Sequence, residues 1–196
     1  MGNGFQTSRP ARPGANVANS TADRIYTQRF QHPGTNGVSY EITEIGWYLS
    51  ADASTTGLIR FAIFDDDAGN GCPSTIVANS DAGEISVSDV SILARYGTIG
   101  TKPIVVGQSY YWLAMFQDDA NINWDYVATT GGTSMRQVTS TYPTWPTDTE
   151  WHTHVDTTTD MGAYAVYQAI AGGVYADSWH PEIQQRIREK IEIIGY

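Results

Sequence analysis

Apolar side chains stand on successive positions from Tyr110 to Phe116 with no Gly or Pro among them. A strand with one wet face alternates, so an unbroken run predicts a strand covered on both faces. Gly107-Gln108-Ser109 opens the run as a turn, and Asp118-Asp119 closes it. Leu58 to Phe64 repeats the design with Leu58, Ile59, Phe61, Ala62, Ile63 and Phe64. It then passes into Asp65-Asp66-Asp67-Ala68-Gly69-Asn70-Gly71, which has the composition of a turn. The two runs predict strands that meet in one core.

The rest of the chain is read the same way. Residues 1–22 hold three glycines, two prolines and little that packs, which predicts an extended N-terminal arm. Strands are predicted from Asp23 to Gln31 and from Val38 to Leu49. In the second, Tyr40, Ile42, Glu44 and Gly46 share one face while Glu41, Thr43, Ile45 and Trp47 share the other, so the alternation is imperfect. Short strands follow over Ser74 to Asn79 and Glu84 to Val87, then a polar crossover from Ser88 to Pro103 with Ile92, Leu93 and Tyr96 available to pack as a lid. Asn121 to Val127, Ser134 to Thr139 and Met161 to Gln168 complete the set. Tyr142-Pro143-Thr144-Trp145-Pro146 is excluded from a central strand by its prolines and is expected as an exposed loop. About eight to ten strands suit two packed antiparallel sheets. The body is therefore placed at 23–170, with a linker and short C-terminal amphipathic helix over 171–196. There Gly172-Gly173 breaks the chain and Pro181 and Glu182 start the helix. Ile183, Ile187, Ile191 and Ile194 form its apolar stripe.

Composition agrees with an all-β body. Of the 196 residues only 16% are charged, and the plentiful Gly, Thr, Ser, Asn and aromatics favour strands and turns. Net charge is −10, unevenly placed. Arg9, Arg12, Arg24 and Arg29 against Asp23 give residues 1–29 a charge of +3, whereas residues 30–180 carry four basic and 17 acidic groups. An acidic body repels phosphate backbones, which argues against nucleic acid as a ligand. The basic arm, through Arg9 and Arg12, is suited to docking on a neighbour's acidic body. The opening Met-Gly-Asn-Gly-Phe shows no secretory signal, Gln6 breaks the myristoylation pattern, and no stretch is apolar enough for a membrane span. A soluble protein without a membrane partner is expected. Cys72 is the only cysteine, so no intrachain disulfide forms; it reads as a turn residue before Pro73.

Gly-Trp-Tyr-Leu at 46–49, Ile-Arg-Phe-Ala-Ile-Phe-Asp at 59–65, the Asn-Gly-x-Pro turn at 70–73 and Gly-Gln-Ser-Tyr-Tyr-Trp-Leu-Ala at 107–114 follow one another in an order that resembles a jelly-roll module of phage structural and bacterial surface proteins. The resemblance spans roughly Arg24 to Gln168 and rests on hydrophobic motifs. It implies an antiparallel jelly-roll β-sandwich with a display or adhesion role. It carries over no site residue.

Candidate chemistry lies in three places. Asp65, Asp66, Asp67 and Asn70 offer hard oxygen ligands, and Asp118 with Asp119 ends the other core strand similarly. If the strands run in the same direction, both clusters converge on one end and Ca²⁺ would relieve their repulsion. The spacing is not that of an EF-hand, and solvated hairpin ends are the alternative. No other cofactor is expected. His152 and His154 share a strand face and with Asp156 offer transition-metal ligands, against the alternative of surface histidines in a Thr-rich loop. Trp124, Tyr142, Trp145 and Trp151 are candidate platforms for sugar rings, with core or interface packing as the alternative. No nucleophile elbow, zinc-protease motif or phosphate loop occurs, so no catalytic residue is assigned, although a glycosidase carboxylate pair needs no motif.

The expected function is that of a non-enzymatic structural protein of a virion, a capsid-associated, decoration or fibre component assembled in the host cytoplasm. Its partners would be other virion proteins and further copies of itself, reached through the termini: Arg9 and Arg12 at one end, Ile183, Ile187, Ile191 and Ile194 at the other. A carbohydrate-binding adhesin module on a tail or fibre is the alternative, and a glycoside hydrolase the third reading.

Overall fold

A computed structural model describes residues 4–11, 16–18, 21–49, 57–87, 95–128, 135–151, 156–157 and 159–170. Strand β1 (Gly4–Gln6) is followed by β2 (Asn16–Ala18), β3 (Arg24–Gln31), β4 (Ser39–Trp47), β5 (Gly57–Asp67), β6 (Cys72–Ile76), β7 (Glu84–Val87) and β8 (Arg95–Thr98). Then come β9 (Ile104–Val106), β10 (Tyr110–Gln117), β11 (Trp124–Ala128), β12 (Met135–Thr139), the helical turn α1 (Asp148–Trp151), β13 (Asp156–Thr157), β14 (Thr159–Met161) and β15 (Ala163–Ala169). The fold is all-β.

The apolar run at 110–116 is the middle of the larger sheet. Strand β10 lies between β3 and β5, antiparallel to both, with Ala114 opposite Thr27 on one side and Ala62 on the other. The whole sheet is ordered β13-β12-β3-β10-β5-β6, with β7 also on β5. A smaller sheet is ordered β1-β15-β4-β8, with β9 also on β4, and β14-β11-β2 makes a third. The chain repeatedly changes sheet: β3 to β4, β4 to β5, β7 to β8, β9 to β10 and β12 to β15 each cross between the two larger sheets.

Both faces of β10 are buried, as its composition predicts. Tyr111, Leu113 and Met115 point inward with Ile59, Phe61 and Ile63 of β5, and meet Ile42, Ile45 and Trp47 of β4 in the inter-sheet core. Trp112, Ala114 and Phe116 point outward with Ala62, Phe64 and Ile25 into a second apolar layer closed by Trp151. Each Leu, Ile or Phe fully buried in these layers contributes about 1.5–3 kcal/mol.

The imperfect alternation of β4 has a structural cause. Tyr40 and Ile42 share one parity and Ile45 and Trp47 the other, yet all four lie in the same core. The register with β15 slips between Val166 and Tyr167, so that Glu44 faces Val166 but Ile42 faces Tyr167. One extra residue on β4 is a bulge, and it flips the parity at the point where the apolar residues change parity.

Other expectations are corrected. The arm is not a free extension: β1 pairs with β15 and β2 with β11. Strand β5 continues through the acidic run, with Asp66 opposite Pro73 and Asp67 opposite Cys72, so Cys72 is a buried strand residue and not a turn residue. The polar crossover contains β8, which pairs with β4; its residues 88–94 lie outside the described residues. So does the predicted helix with Ile183, Ile187, Ile191 and Ile194.

At one end of the sandwich, two sheet-to-sheet connections are zipped together. His32 N–H donates to Ser109 O (2.9 Å), Gln108 N–H to His32 O (2.9 Å) and Gly107 N–H to Val38 O (2.8 Å). The approach at Gly107 is so close that a Cβ there would stand 2.1 Å from the Thr35 carbonyl oxygen. Only glycine fits.

Candidate functional site

Antiparallel pairing of β5 with β10 sets the fate of the two acid clusters. Asp65 lies opposite Tyr111, at the start of β10, while Asp118 follows the end of β10 and its N–H donates to Leu58 O at the start of β5. At about 3.3 Å per residue the clusters are roughly 20 Å apart, at opposite ends of the sheet. The convergence that a shared Ca²⁺ site requires is therefore absent, because the strands run in opposite directions.

Each acid has a partner of its own. Asp66 accepts both arms of the Arg29 guanidinium, Nε at 2.8 Å and Nη2 at 2.5 Å, and the indole N–H of Trp112 at 2.7 Å. The carboxylate in turn raises the pKa of Arg29, whose guanidinium lies 4.1 Å from the centre of the Tyr110 ring. Asp67 Oδ1 accepts Gly69 N–H (2.9 Å) and its Oδ2 accepts the Asn70 side-chain amide (2.6 Å), an aspartate turn that shapes the β5–β6 hairpin. Asp65 is pushed above the usual carboxylate range by burial, partly offset by the Thr75 hydroxyl at 3.4 Å. At the other end Asp118 Oδ1 accepts Leu58 N–H (2.6 Å) and Asp119 Oδ1 accepts Asn121 N–H (2.8 Å). Among the described residues no three His, Cys, Asp or Glu side chains form a metal-binding group. His152 and His154 lie outside the described residues, and Asp156 belongs to β13.

The aromatic candidates divide by burial. Trp124 and Trp151 are in the core, 3% and 0% exposed. An indole enclosed by protein offers no face to a sugar, so these two are corrected from platforms to packing residues. Trp124 packs on Tyr26 with ring centres 5.2 Å apart, and Trp151 meets Phe64 edge-on at 5.4 Å. Tyr142 and Trp145 are half-buried and form a strap across the outer face of the large sheet. Both touch Phe116, at 5.0 and 5.3 Å, and Trp145 also meets Phe64 at 5.5 Å.

A polar cluster fastens the strap. Asp81 accepts the Trp145 indole N–H (3.1 Å), Gly83 N–H (3.0 Å) and the Arg60 guanidinium, which also donates to Pro143 O (2.9 Å). Burial, with Glu84 nearby, pushes the Tyr142 phenol well above its ordinary pKa. The expected exposed loop is therefore a half-buried one.

Two devices of this region have no counterpart in the sequence reading. Arg136, 9% exposed, donates to the carbonyls of Gly71 (3.0 Å), Asn70 (3.3 Å) and Trp151 (3.1 Å), tying the acidic hairpin to the end of the strap. Nothing local marks this arginine. The other was legible: Thr147-Asp148-Thr149-Glu150 is a capping box, and Glu150 Oε2 accepts Thr147 N–H at 2.5 Å to start α1.

Of the assembly candidates, Arg9 is engaged within its own chain, donating through Nε (2.8 Å) and Nη2 (3.0 Å) to Glu44. The Tyr48 hydroxyl donates to Pro10 O beside it. Arg12 and the four isoleucines lie outside the described residues. Compared with protein-family models the chain matches none, and no curated protein is significantly similar to it.

Proposed function

We propose that this chain is a non-enzymatic structural protein of a virion, with a jelly-roll β-sandwich as its body and assembly contacts made through its C-terminal segment. One observation carries the reading. Candidate acids and aromatics make bonds within the sandwich: Asp66 fixes Arg29 and Trp112, Asp67 and Asp119 shape turns, and Trp145 is fastened by Asp81, which was not itself a candidate. The sheet-to-sheet crossings support a jelly roll, and the motif residues of the sequence resemblance, among them Trp47, Phe61 and Trp112, are core residues. The pairing of Arg9 with Glu44 moves the weight of the assembly argument from the arm to the isoleucine stripe at 183–194. The helix expected there would be marginal alone in water and would gain stability by burying its stripe against a neighbour.

Deleting residues 175–196 tests this. The truncated chain is expected to keep its β-rich circular dichroism, sediment as a monomer and no longer join the particle or oligomer. Unchanged stoichiometry, or loss of the fold, would overturn the assembly role. A carbohydrate-binding module remains the second reading because Trp145 and Tyr142 sit half-exposed beside Arg60, Asp81 and Glu84. Binding on a glycan array that Trp145→Ala abolishes would favour it.

A further inference from the structure

His32 follows β3 and is fully buried. Its ring stands among three others: Phe5 of β1 at 4.9 Å between centres, Tyr40 of β4 at 4.7 Å and Tyr167 of β15 at 4.3 Å. Nδ1 accepts the Gly34 N–H at 3.0 Å, and Nε2 has no hydrogen-bond partner among the described residues. An imidazole that accepts at Nδ1 is neutral, with its proton on Nε2. A second proton would set one N–H against another at Gly34 and put a charge among aromatic rings.

Among the described residues no carboxylate offsets that charge. The titratable groups facing the ring, among the described residues, are the phenols of Tyr40 and Tyr167, with Tyr111 beyond Phe5. The charged side chains of β3 and β4 are engaged elsewhere: Arg24 with Gln137, Arg29 with Asp66, Glu41 with Lys102 and Glu44 with Arg9. Burial lowers the His32 pKa from 6.5 to about 4.

Phe5 is what separates this ring from the chain's N-terminal edge. Strand β1 has three residues, pairs in parallel with β15 through Gly4↔Tyr164, Phe5↔Ala165 and Gln6↔Val166, and ends the small sheet. Phe5 is 4% exposed and rests on His32 and Tyr111. Gly4 fits flat against Phe30 at a φ of +81°, where a Cβ would stand 2.7 Å from the ring. The other two walls, the buried Tyr40 and the partly buried Tyr167, stand on the interior pair β4 and β15, whose ladder runs over seven residues of β15. Of the three rings, Phe5 is the one carried by a three-residue edge strand, so it is the wall whose displacement breaks the fewest ladder bonds.

We propose that His32 is an acid-sensitive latch: neutral, it seats Phe5 and holds β1 on β15, and its protonation releases the N-terminal strand and bares the β15 edge while the sandwich stays folded. The sign follows from a histidine whose folded pKa is depressed. The latch is at full strength above pH 6.5 and weakens as pH falls from 6.5 toward about 4. One proton is taken up on opening, so the open fraction rises roughly tenfold per pH unit across that window.

Hydrogen exchange of the full chain, corrected for the intrinsic pH dependence of exchange, reads this directly. Protection of Gly4–Gln6 should fall about tenfold per unit between pH 6.5 and 4.5, while β10 stays protected. His32→Asn keeps a side-chain acceptor for Gly34 N–H but has no titrating proton, and should make β1 protection independent of pH. A pH-dependent β1 in folded His32→Asn, or loss of β10 protection in the same step, would overturn the latch. If His32→Asn does not fold, the imidazole titration of the wild-type chain by NMR decides. A midpoint below pH 5.5 that coincides with the shift of the β1 amides supports the latch, and any other result refutes it.

Discussion

Asp66 shows how much a single carboxylate can hold. It is one of three consecutive acids that the sequence marks as a turn and as candidate Ca²⁺ ligands, but its position on the outer face of β5 points it at Trp112 and Arg29, where its side chain is 7% exposed. Replacing it with asparagine removes a paired charge and leaves an amide N–H against two other donors. Since a hydrogen bond to a charged group is worth about 1.5–3 kcal/mol, Asp66→Asn should cost about 2 kcal/mol in urea unfolding. The effect belongs to Arg29 and Trp112, so wild-type stability should be the same in Ca²⁺ and in chelator. A chelator-sensitive melting temperature that disappears in Asp66→Ala would instead place a cation at this hairpin.

Among the elements, the strap over 142–151 was the hardest to read. Two prolines correctly exclude it from the sheet, but local composition does not reveal that β10 and β5 present an apolar outer face to it. Once Phe64, Trp112 and Phe116 line that face, Trp151 becomes a core residue and Trp145 a half-covered one held by Asp81. The two indoles should therefore behave differently. Trp151→Ala is expected to cost about 3–5 kcal/mol, and Trp145→Ala about half of that, because much of its ring already faces water. Equal losses in denaturant melts would mean that the strap is buried along its whole length. Strand β4 was more legible: the parity change between Ile42 and Ile45 is visible in the sequence, and its meaning as a bulge appears once Tyr167 faces Ile42 and Val166 faces Glu44.

For the whole molecule, the pairing of distant strands governs folding. Strand β10 lies between β3 and β5, so its ladders join Tyr111 to Phe30 and to Asp65, and β15 must cross back to β4 from the far end of the body. Such non-local pairing delays the reward for closing long loops, so refolding followed by tryptophan fluorescence should take milliseconds to seconds. A microsecond phase carrying the full amplitude would contradict this topology. Local pattern was enough to read an all-β body, the course of its main strands, and the burial of the strand at 110–116 on both faces, because periodicity and turn chemistry are local properties of the chain. Strand neighbours are a matter of the folded arrangement, and with them the parting of the two acid clusters, the meeting of Arg9 with Glu44 and the closing of Phe5 over His32. Each of these depends on register between segments tens of residues apart, which no local pattern encodes.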